Sequence, residues 1–311
     1  MGGLLKIHRG LAASRASFII MCLLFIAFEV YFQPNFSGMA LWKFIAEITL
    51  GLGTAILLQY LDRQYALIKT KSVLPAFFYV LFLFAYAPVL TWENLLLGLM
   101  LLLCLFLLFS TYQSRDSQTK VLNMFILLSL GCLLWYPVIL LFPVMWYGMY
   151  VMQSLNFRTF LASLAGVFLV CLGLFTWGIY QSDINLFMGF MPDWQSFTRF
   201  KLPVMDIPEY AFMGYLLILY LFCLANLFRP DASEKVKAKT IIGYILILAA
   251  VLFLFFFLYI VWEDVWLILL FIPLSILYAH LFAKLKNKLM IWFFLLTILL
   301  FIAKGVLNVL M

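Results

Sequence analysis

One stretch of this sequence limits the possible folds more than any other. Residues 121–152 read VLNMFILLSLGCLLWYPVILLFPVMWYGMYVM and contain no charged side chain. As a single helix, this stretch would extend roughly 48 Å, far beyond the roughly 30 Å hydrocarbon core of a bilayer. Pro137 and Pro143 also disfavour a continuous helix, because each lacks a backbone N–H. We therefore predict either two short membrane spans or a re-entrant hairpin, and the sequence does not separate these alternatives.

The rest of the chain has the composition of an integral membrane protein. Hydrophobic residues make up 67% of it and charged residues 11%, whereas about half of a soluble domain is apolar and about a quarter is charged. Further segments long enough to cross a bilayer are 16–33, 39–61, 73–92, 95–112, 161–180, 210–228, 240–261, 265–283 and 289–310. We predict an all-α, polytopic transmembrane helix bundle. Residues 1–311 would form a single integral-membrane domain with about 11 membrane segments.

The positions of the basic residues predict the orientation. If 121–152 returns to the side it left and the N-terminus is cytoplasmic, all but four of the 20 Lys and Arg residues lie inside, as the positive-inside rule requires. The exceptions are Lys43, Arg199, Lys201 and Lys304. A single crossing would instead place Arg158 outside. We therefore predict an even number of crossings in this stretch, with the N-terminus inside and the C-terminus outside.

Several kinds of chemistry are not indicated by the sequence. The five cysteines lie in apolar runs and fit no metal or disulfide spacing, so they are interpreted as small buried hydrophobic residues. There are two histidines, and no glycine-rich phosphate-binding motif is present. We expect no metal, no cofactor and no nucleic-acid partner.

The predicted outer side carries more acidic than basic residues. This excess follows if the positive-inside rule simply depletes Lys and Arg there, or it indicates a carboxylate-lined site. An outer carboxylate could act as a general base on an acceptor hydroxyl. The candidates for this catalytic role are Glu29, Asp193, Asp206 and Glu209.

Charged residues within apolar segments usually face a protein interior or a cavity. Lys43 and Glu47 are one turn apart on a predicted helix and can form an ion pair. Lys304 lies near the outer end of the last segment. If these three residues converge with Glu29, they form a charged substrate-binding pocket; the alternative is a structural ion pair near the interface.

The longest polar connection, residues 181–210, is predicted to lie on the outer side. Asp193 can cap a short helix, and aromatic residues recur at every third position from Trp194, as expected of a helix lying flat at the membrane interface. Trp194 and Arg199 are candidates for substrate binding. The loop could be a lid over a site or a simple interfacial plug.

Several motifs carry a family resemblance. The runs LLQYLDRQYALIKTKSVLPAFFYVL, WENLLLGLMLLLCLFLLFSTYQS, LWYPVILLFPVMW and NFRTFLASLAGVF resemble an uncharacterised Bacteroidetes family of polytopic inner-membrane proteins. This resemblance covers residues 55–180 and implies location and topology: a multi-pass protein of the bacterial inner (cytoplasmic) membrane. The chain is more distantly similar to polyprenyl-phosphate-dependent membrane glycosyltransferases, a similarity that would place the catalytic acid at Glu29.

Three functions are compatible with these features. The first is the handling of a lipid or a lipid-linked glycan at the outer leaflet in envelope biogenesis, with membrane lipids as partners. The second is a non-enzymatic scaffold or assembly partner, and the third is a secondary transporter. We place lipid handling first, and whether the protein is an enzyme stays open.

Overall fold

The structure is a computed structural model that describes residues 15–32, 38–68, 72–87, 90–114, 117–180, 207–227, 235–258, 263–283 and 288–310. Within these residues it contains eleven α-helices, one 3-10 helix and no strand, which confirms the all-α prediction. Contacts group the chain into two compact units. The first comprises residues 1–96, 202–257 and 262–311, and the second 97–201 and 258–261. The prediction of a single domain stays a prediction.

Seven helices and the start of an eighth belong to the first unit. They are α1 (Arg15–Phe32), α2 (Gly38–Tyr65), α3 (Leu74–Ala85), the first residues of α4 (Trp92–Ser110), α8 (Ile207–Leu227), α9 (Val236–Leu258), α10 (Glu263–Ala283) and α11 (Lys288–Leu310). The second unit contains the rest of α4, α5 (Gln118–Leu134), the 3-10 helix (Tyr136–Leu140), α6 (Leu141–Val151) and α7 (Phe157–Tyr180).

Helix α3 is the core of the first unit. It packs against α1, α2, α10 and α11, and all of its residues are buried. Pro75 lies in its first turn, where a missing N–H costs no helical hydrogen bond. Its phenylalanines stack on α10: the ring centres of Phe82 and Phe271 are 4.7 Å apart, and those of Phe78 and Phe282 are 5.4 Å apart. At 12 residues, α3 extends about 18 Å, less than the predicted segment 73–92.

Helix α10 is the second fully enclosed helix of this unit. Every residue from Val265 to Phe282 is buried. The Tyr278 hydroxyl donates a hydrogen bond of 2.8 Å to the Leu216 carbonyl of α8, so the polar end of this buried ring is satisfied. Helices α3 and α10 therefore contact protein on all sides, although their sequences are as apolar as those of lipid-facing helices.

The number of apolar helices agrees with a multi-pass membrane protein. Among the described residues, six helices are long and apolar enough to cross a bilayer, and five shorter apolar stretches accompany them. Together they fall on the eleven predicted segments.

The second unit shows that the chain returns after the uncharged stretch. Lys120, in the first turn of α5, donates a hydrogen bond of 2.9 Å to the carbonyl of Ser110 at the end of α4. Thr111, which follows Ser110 in the sequence, donates a hydrogen bond of 3.0 Å to the hydroxyl oxygen of Ser154, just beyond α6. Helix α5 therefore begins and α6 ends at the same end of this unit, which confirms the predicted return.

The two prolines take positions that suit the turn. The chain is extended at Trp135, and Pro137 lies in the first turn of the 3-10 helix. Pro143 lies in the first turn of α6, where its missing N–H is tolerated. Helix α5 extends about 26 Å, and the 3-10 helix together with α6 also extends about 26 Å. Each of these two lengths is close to the thickness of the hydrocarbon core.

Helix α7 packs closely on α5 through a glycine. An ideal Cβ atom at Gly166 would lie 2.8 Å from the carbonyl oxygen of Leu122 and 3.2 Å from the Cβ atom of Phe125. At Gly173, two turns further along α7, a Cβ atom would meet nothing within 4 Å. Only the first of these glycines is therefore required by packing.

We predict that Gly166→Ala destabilises the protein and that Gly173→Ala does not. The new methyl group at 166 meets backbone atoms that cannot move aside, which should cost about 1–3 kcal/mol. At 173, alanine should stabilise the helix by up to about 1 kcal/mol. Thermal unfolding of the two variants in the same detergent measures the difference. Equal melting temperatures would contradict the described contact between α5 and α7.

We also predict that reporters fused near Arg158 and near Lys237 both lie in the cytoplasm. The return of the chain after Lys120, together with the positive-inside rule, places both positions inside. Paired fusions to one reporter active in the cytoplasm and another active outside it measure this, with a fusion after Tyr180 as the outer control. An external signal from either inner position would reverse the assigned sides.

Candidate functional site

Four helix ends of the first unit bring polar side chains together. Tyr86 follows α3, Glu209 lies in the first turn of α8, Asp264 lies in the first turn of α10 and Lys304 lies towards the end of α11. The Lys304 ammonium lies 3.4 Å from Glu209 Oε1 and 5.8 Å from the centre of the Tyr86 ring. Glu209 also interacts electrostatically with Asp264. We refer to these four residues as the outer-end cluster.

The cluster also bears on the predicted topology. Lys304 contacts both the end of α3 and the start of α8, so these two ends lie on the same side of the unit. The intervening chain must then cross the membrane an even number of times.

A second lysine lies over a tyrosine ring at other helix ends of this unit. Lys237 of α9 lies 5.1 Å from the centre of the Tyr65 ring at the end of α2. Both residues belong to ends predicted to be cytoplasmic.

An aromatic group supports the outer-end cluster. The Tyr86 ring centre lies 5.8 Å from that of Phe212 and 5.3 Å from that of Phe271, while Phe212 and Phe301 are 5.0 Å apart. The Tyr86 hydroxyl lies 3.7 Å from the sulfur of Met213. The lysine can bury its aliphatic stem against such a surface while its ammonium meets Glu209. The site therefore combines charged groups with an apolar, aromatic base.

A close approach of two helices fixes the position of Lys304. The next residue, Gly305, packs directly on Phe84 of α3, and an ideal Cβ atom there would lie only 2.5 Å from the phenylalanine ring. Since Phe84 is itself buried, no larger residue fits without moving the ring. The glycine thus lets α11 approach α3 closely enough for Lys304 to reach Tyr86.

The charges of the cluster differ in their access to solvent. The Lys304 side chain is 9% exposed and that of Glu209 is 43% exposed, and Asp264 is also exposed. The buried Lys304 ammonium therefore faces the more exposed Glu209 carboxylate, which interacts in turn with the exposed Asp264. Carboxylates at this position can accept hydrogen bonds from hydroxyl or amine groups. Among the described residues, no group of three or more His, Cys, Asp or Glu side chains could hold a metal ion.

The structure places some of the predicted site residues together. Glu209 and Lys304, predicted separately as a catalytic and a substrate-binding residue, form an ion pair. The other predicted residues of the long connection lie outside the described residues: Asp193, Trp194, Arg199 and Asp206.

Four charged residues were considered for one substrate-binding pocket: Glu29, Lys43, Glu47 and Lys304. Glu29 and Glu47 are both buried and interact electrostatically. Lys43 is exposed and Glu47 is buried, and the ion pair between them stays a prediction. The described contacts of Lys304 are with the outer-end cluster.

Two members of the cluster were not singled out by the sequence. Tyr86 lies in the run LFAYAPVL, where a tyrosine after several phenylalanines is expected at the membrane interface. Asp264 belongs to a turn that is predicted to be outer and also contains a tryptophan, and this combination too is expected first of all at a membrane interface. Only the folded chain shows that Tyr86 lies close to Lys304 and that Asp264 interacts with Glu209.

The comparisons with known proteins give a family but no activity. A family model described as a family of unknown function, DUF6427, matches residues 11–310. The chain belongs to this family. The match confirms the resemblance to an uncharacterised family and extends it from residues 55–180 to nearly the whole chain. No curated protein and no solved structure matches, so the more distant similarity to glycosyltransferases finds no support.

We predict that Glu209→Gln destabilises the protein more than Lys304→Met does. The first change leaves a buried ammonium without its anion and should cost about 1–3 kcal/mol. The second removes the buried charge, and the half-exposed Glu209 can be solvated, so the loss should stay below about 1 kcal/mol. Thermal unfolding in one detergent at neutral pH compares them. The reverse order would contradict the described burial of Lys304.

Proposed function

We propose that this multi-pass membrane protein binds the headgroup of a lipid or lipid-linked glycan at the outer leaflet of a bacterial inner membrane, as part of envelope biogenesis. The observation that carries the proposal is the ion pair of buried Lys304 with half-exposed Glu209 above an aromatic base. The pair lies at helix ends that the positive-inside rule assigns to the outer side.

The chemistry of the outer-end cluster suits such a headgroup. A phosphate can exchange with Glu209 as the partner of the Lys304 ammonium, since both present oxygen acceptors. The carboxylates of Glu209 and Asp264 can then accept hydrogen bonds from sugar hydroxyls or from an amine. The aromatic residues beneath the charges offer an apolar surface for the adjoining part of the lipid.

A catalytic form of this proposal gives Glu209 a specific role. Its carboxylate would accept the proton of an acceptor hydroxyl while Lys304 offsets the charge of a phosphate leaving group. Glu209 is favoured over Glu29 because its side chain is 43% exposed, whereas that of Glu29 is buried. If this form is correct, Glu209→Gln abolishes turnover but retains the bound lipid.

We predict that the purified protein retains a phosphate-bearing lipid that depends on Lys304. Gentle detergent extraction followed by mass spectrometry of the bound lipids compares wild type with Lys304→Met, and we expect about a tenfold lower recovery from the variant. A tenfold change corresponds to roughly 1.4 kcal/mol, a typical contribution of one charge-assisted hydrogen bond.

The matched control for this experiment is Lys237→Met. Lys237 also lies over a tyrosine ring, but at helix ends predicted to be cytoplasmic, so its removal should leave the outer-leaflet lipid in place. Equal lipid recovery from wild type and Lys304→Met would overturn the proposal. A stoichiometric protein partner in place of a lipid, insensitive to Lys304→Met, would favour a scaffold.

A further inference from the structure

The outer-end cluster contains more acidic than basic groups. Its charged side chains are the ammonium of Lys304 and the carboxylates of Glu209 and Asp264. The ammonium is also the least accessible of the three, because Lys304 is almost fully buried, Glu209 is half-exposed and Asp264 is exposed. The accessible charge of the cluster is therefore negative.

The two carboxylates interact with each other as well as with the lysine. Glu209 and Asp264 lie in the first turns of α8 and α10 and interact electrostatically, and two like charges in such a position repel each other. Lys304, at 3.4 Å from Oε1 of Glu209, offsets part of this repulsion. Among the described side chains of these four helix ends, Lys304 is the only basic group. A cationic group of a bound molecule would offset the remaining repulsion.

This distribution of charge distinguishes between classes of lipid headgroup. A phosphate that takes the place of Glu209 beside Lys304 leaves the carboxylates of Glu209 and Asp264 without that cation. A headgroup whose only charge is the phosphate therefore makes the site more negative, and juxtaposed like charges disfavour binding. A headgroup that also carries an ammonium adds no net charge and supplies a cation to the carboxylates. The cluster thus favours a zwitterionic headgroup over an anionic one.

The same contacts distinguish a primary amine from a quaternary ammonium. A primary ammonium donates hydrogen bonds, which carboxylate oxygens accept. A quaternary ammonium has no N–H group and is recognised by accessible aromatic faces. The Tyr86 ring, the aromatic ring closest to the charges, is buried and already has the Lys304 ammonium 5.8 Å from its centre. Hydrogen bonding to the carboxylates is therefore the means of recognition that the cluster offers.

We propose that the outer-end cluster recognises an aminoalkyl phosphate headgroup of the phosphoethanolamine class, with the phosphate at Lys304 and the primary ammonium at Glu209 and Asp264. The inference rests on the proposed lipid-binding function and adds the chemical class of the ligand. In this class a short alkyl link separates the phosphate from the ammonium, which suits a lysine and a glutamate in direct contact. Each member of the Lys304–Glu209 ion pair then keeps an opposite charge beside it when the headgroup is bound, so no buried charge is left unpaired.

Native mass spectrometry of the purified, delipidated protein tests this class directly. Phosphatidylethanolamine, phosphatidylglycerol and phosphatidylcholine with identical acyl chains are added in equal amounts. We expect phosphatidylethanolamine to bind about tenfold more tightly than either competitor, which corresponds to roughly one charge-assisted hydrogen bond. Lys304→Met should lower the binding of phosphatidylethanolamine by a similar factor, because the phosphate loses its cation.

The variant Asp264→Asn separates recognition from stability. It removes a carboxylate that accepts the ammonium, so we expect the preference for phosphatidylethanolamine over phosphatidylglycerol to fall about threefold, as for an exposed ion pair. Because it also relieves the repulsion with Glu209, the lipid-free variant should unfold at the same temperature as wild type or higher. The matched control is Glu93→Gln, an exposed carboxylate at the start of α4 for which the described structure shows no contact with the cluster. This control should keep the preference of the wild type.

A soluble headgroup shows whether the lipid itself is the ligand. Glycerophosphoethanolamine carries the same phosphate and amine without acyl chains. We expect it to displace phosphatidylethanolamine only when present in large excess, because the aromatic base of the site contributes nothing to its binding. Displacement at equal concentration would retain the aminoalkyl phosphate class and overturn the lipid as its source.

Two results would overturn the inference while the proposed lipid function stands. The first is binding of phosphatidylglycerol that equals or exceeds that of phosphatidylethanolamine and depends on Lys304. The second is equal binding of phosphatidylcholine, which would show that no hydrogen bond from a primary amine is read. Absence of any lipid that depends on Lys304 would instead overturn the proposed function and this inference together.

Discussion

The enclosure of α3 by its neighbours is the constraint on which the first unit depends. A helix without a single charged residue, buried on every side, requires its partners to present apolar faces along its whole length. Two of its side chains lie where partner helices approach closely: Leu83 packs on Gly51 of α2, and the ring of Phe84 packs on Gly305 of α11. The outer-end cluster lies at the end of this apolar core, where Lys304 reaches Glu209 and Tyr86.

The return of the chain between α5 and α6 is the second structural constraint. Hydrogen bonds from Lys120 and Thr111 tie the start of α5 and the residues after α6 to the end of α4. The outer-end cluster requires an even number of crossings for a different reason, because Lys304 contacts the ends of both α3 and α8. Each unit on its own thus supports the same parity, and the assignment of an outer and an inner side follows from the distribution of Lys and Arg.

Much of the fold could be predicted from the sequence because hydropathy and charge act locally. The helical segments, the return after Lys120 and the burial of Glu47 follow from runs of apolar residues and from single charges within them. Hydropathy could not show that α3 and α10 contact protein on all sides, since a lipid tail and a leucine side chain are equally apolar. The sequence also could not predict pairs of residues that are distant in the chain: Glu209 and Lys304 are 95 residues apart, and nothing local relates one to the other.

The shortness of α3 has an electrical consequence. Helix α2 contains 28 residues and extends about 42 Å, whereas α3 ends after about 18 Å. Tyr86, at the end of α3, lies close to Lys304 and therefore close to the carboxylates of Glu209 and, through Glu209, Asp264. Water reaching those carboxylates would leave a thinner insulating layer beneath them. The voltage across the membrane would then fall over a shorter distance, and a charged molecule bound at this point would experience a steeper field than one resting on the surface.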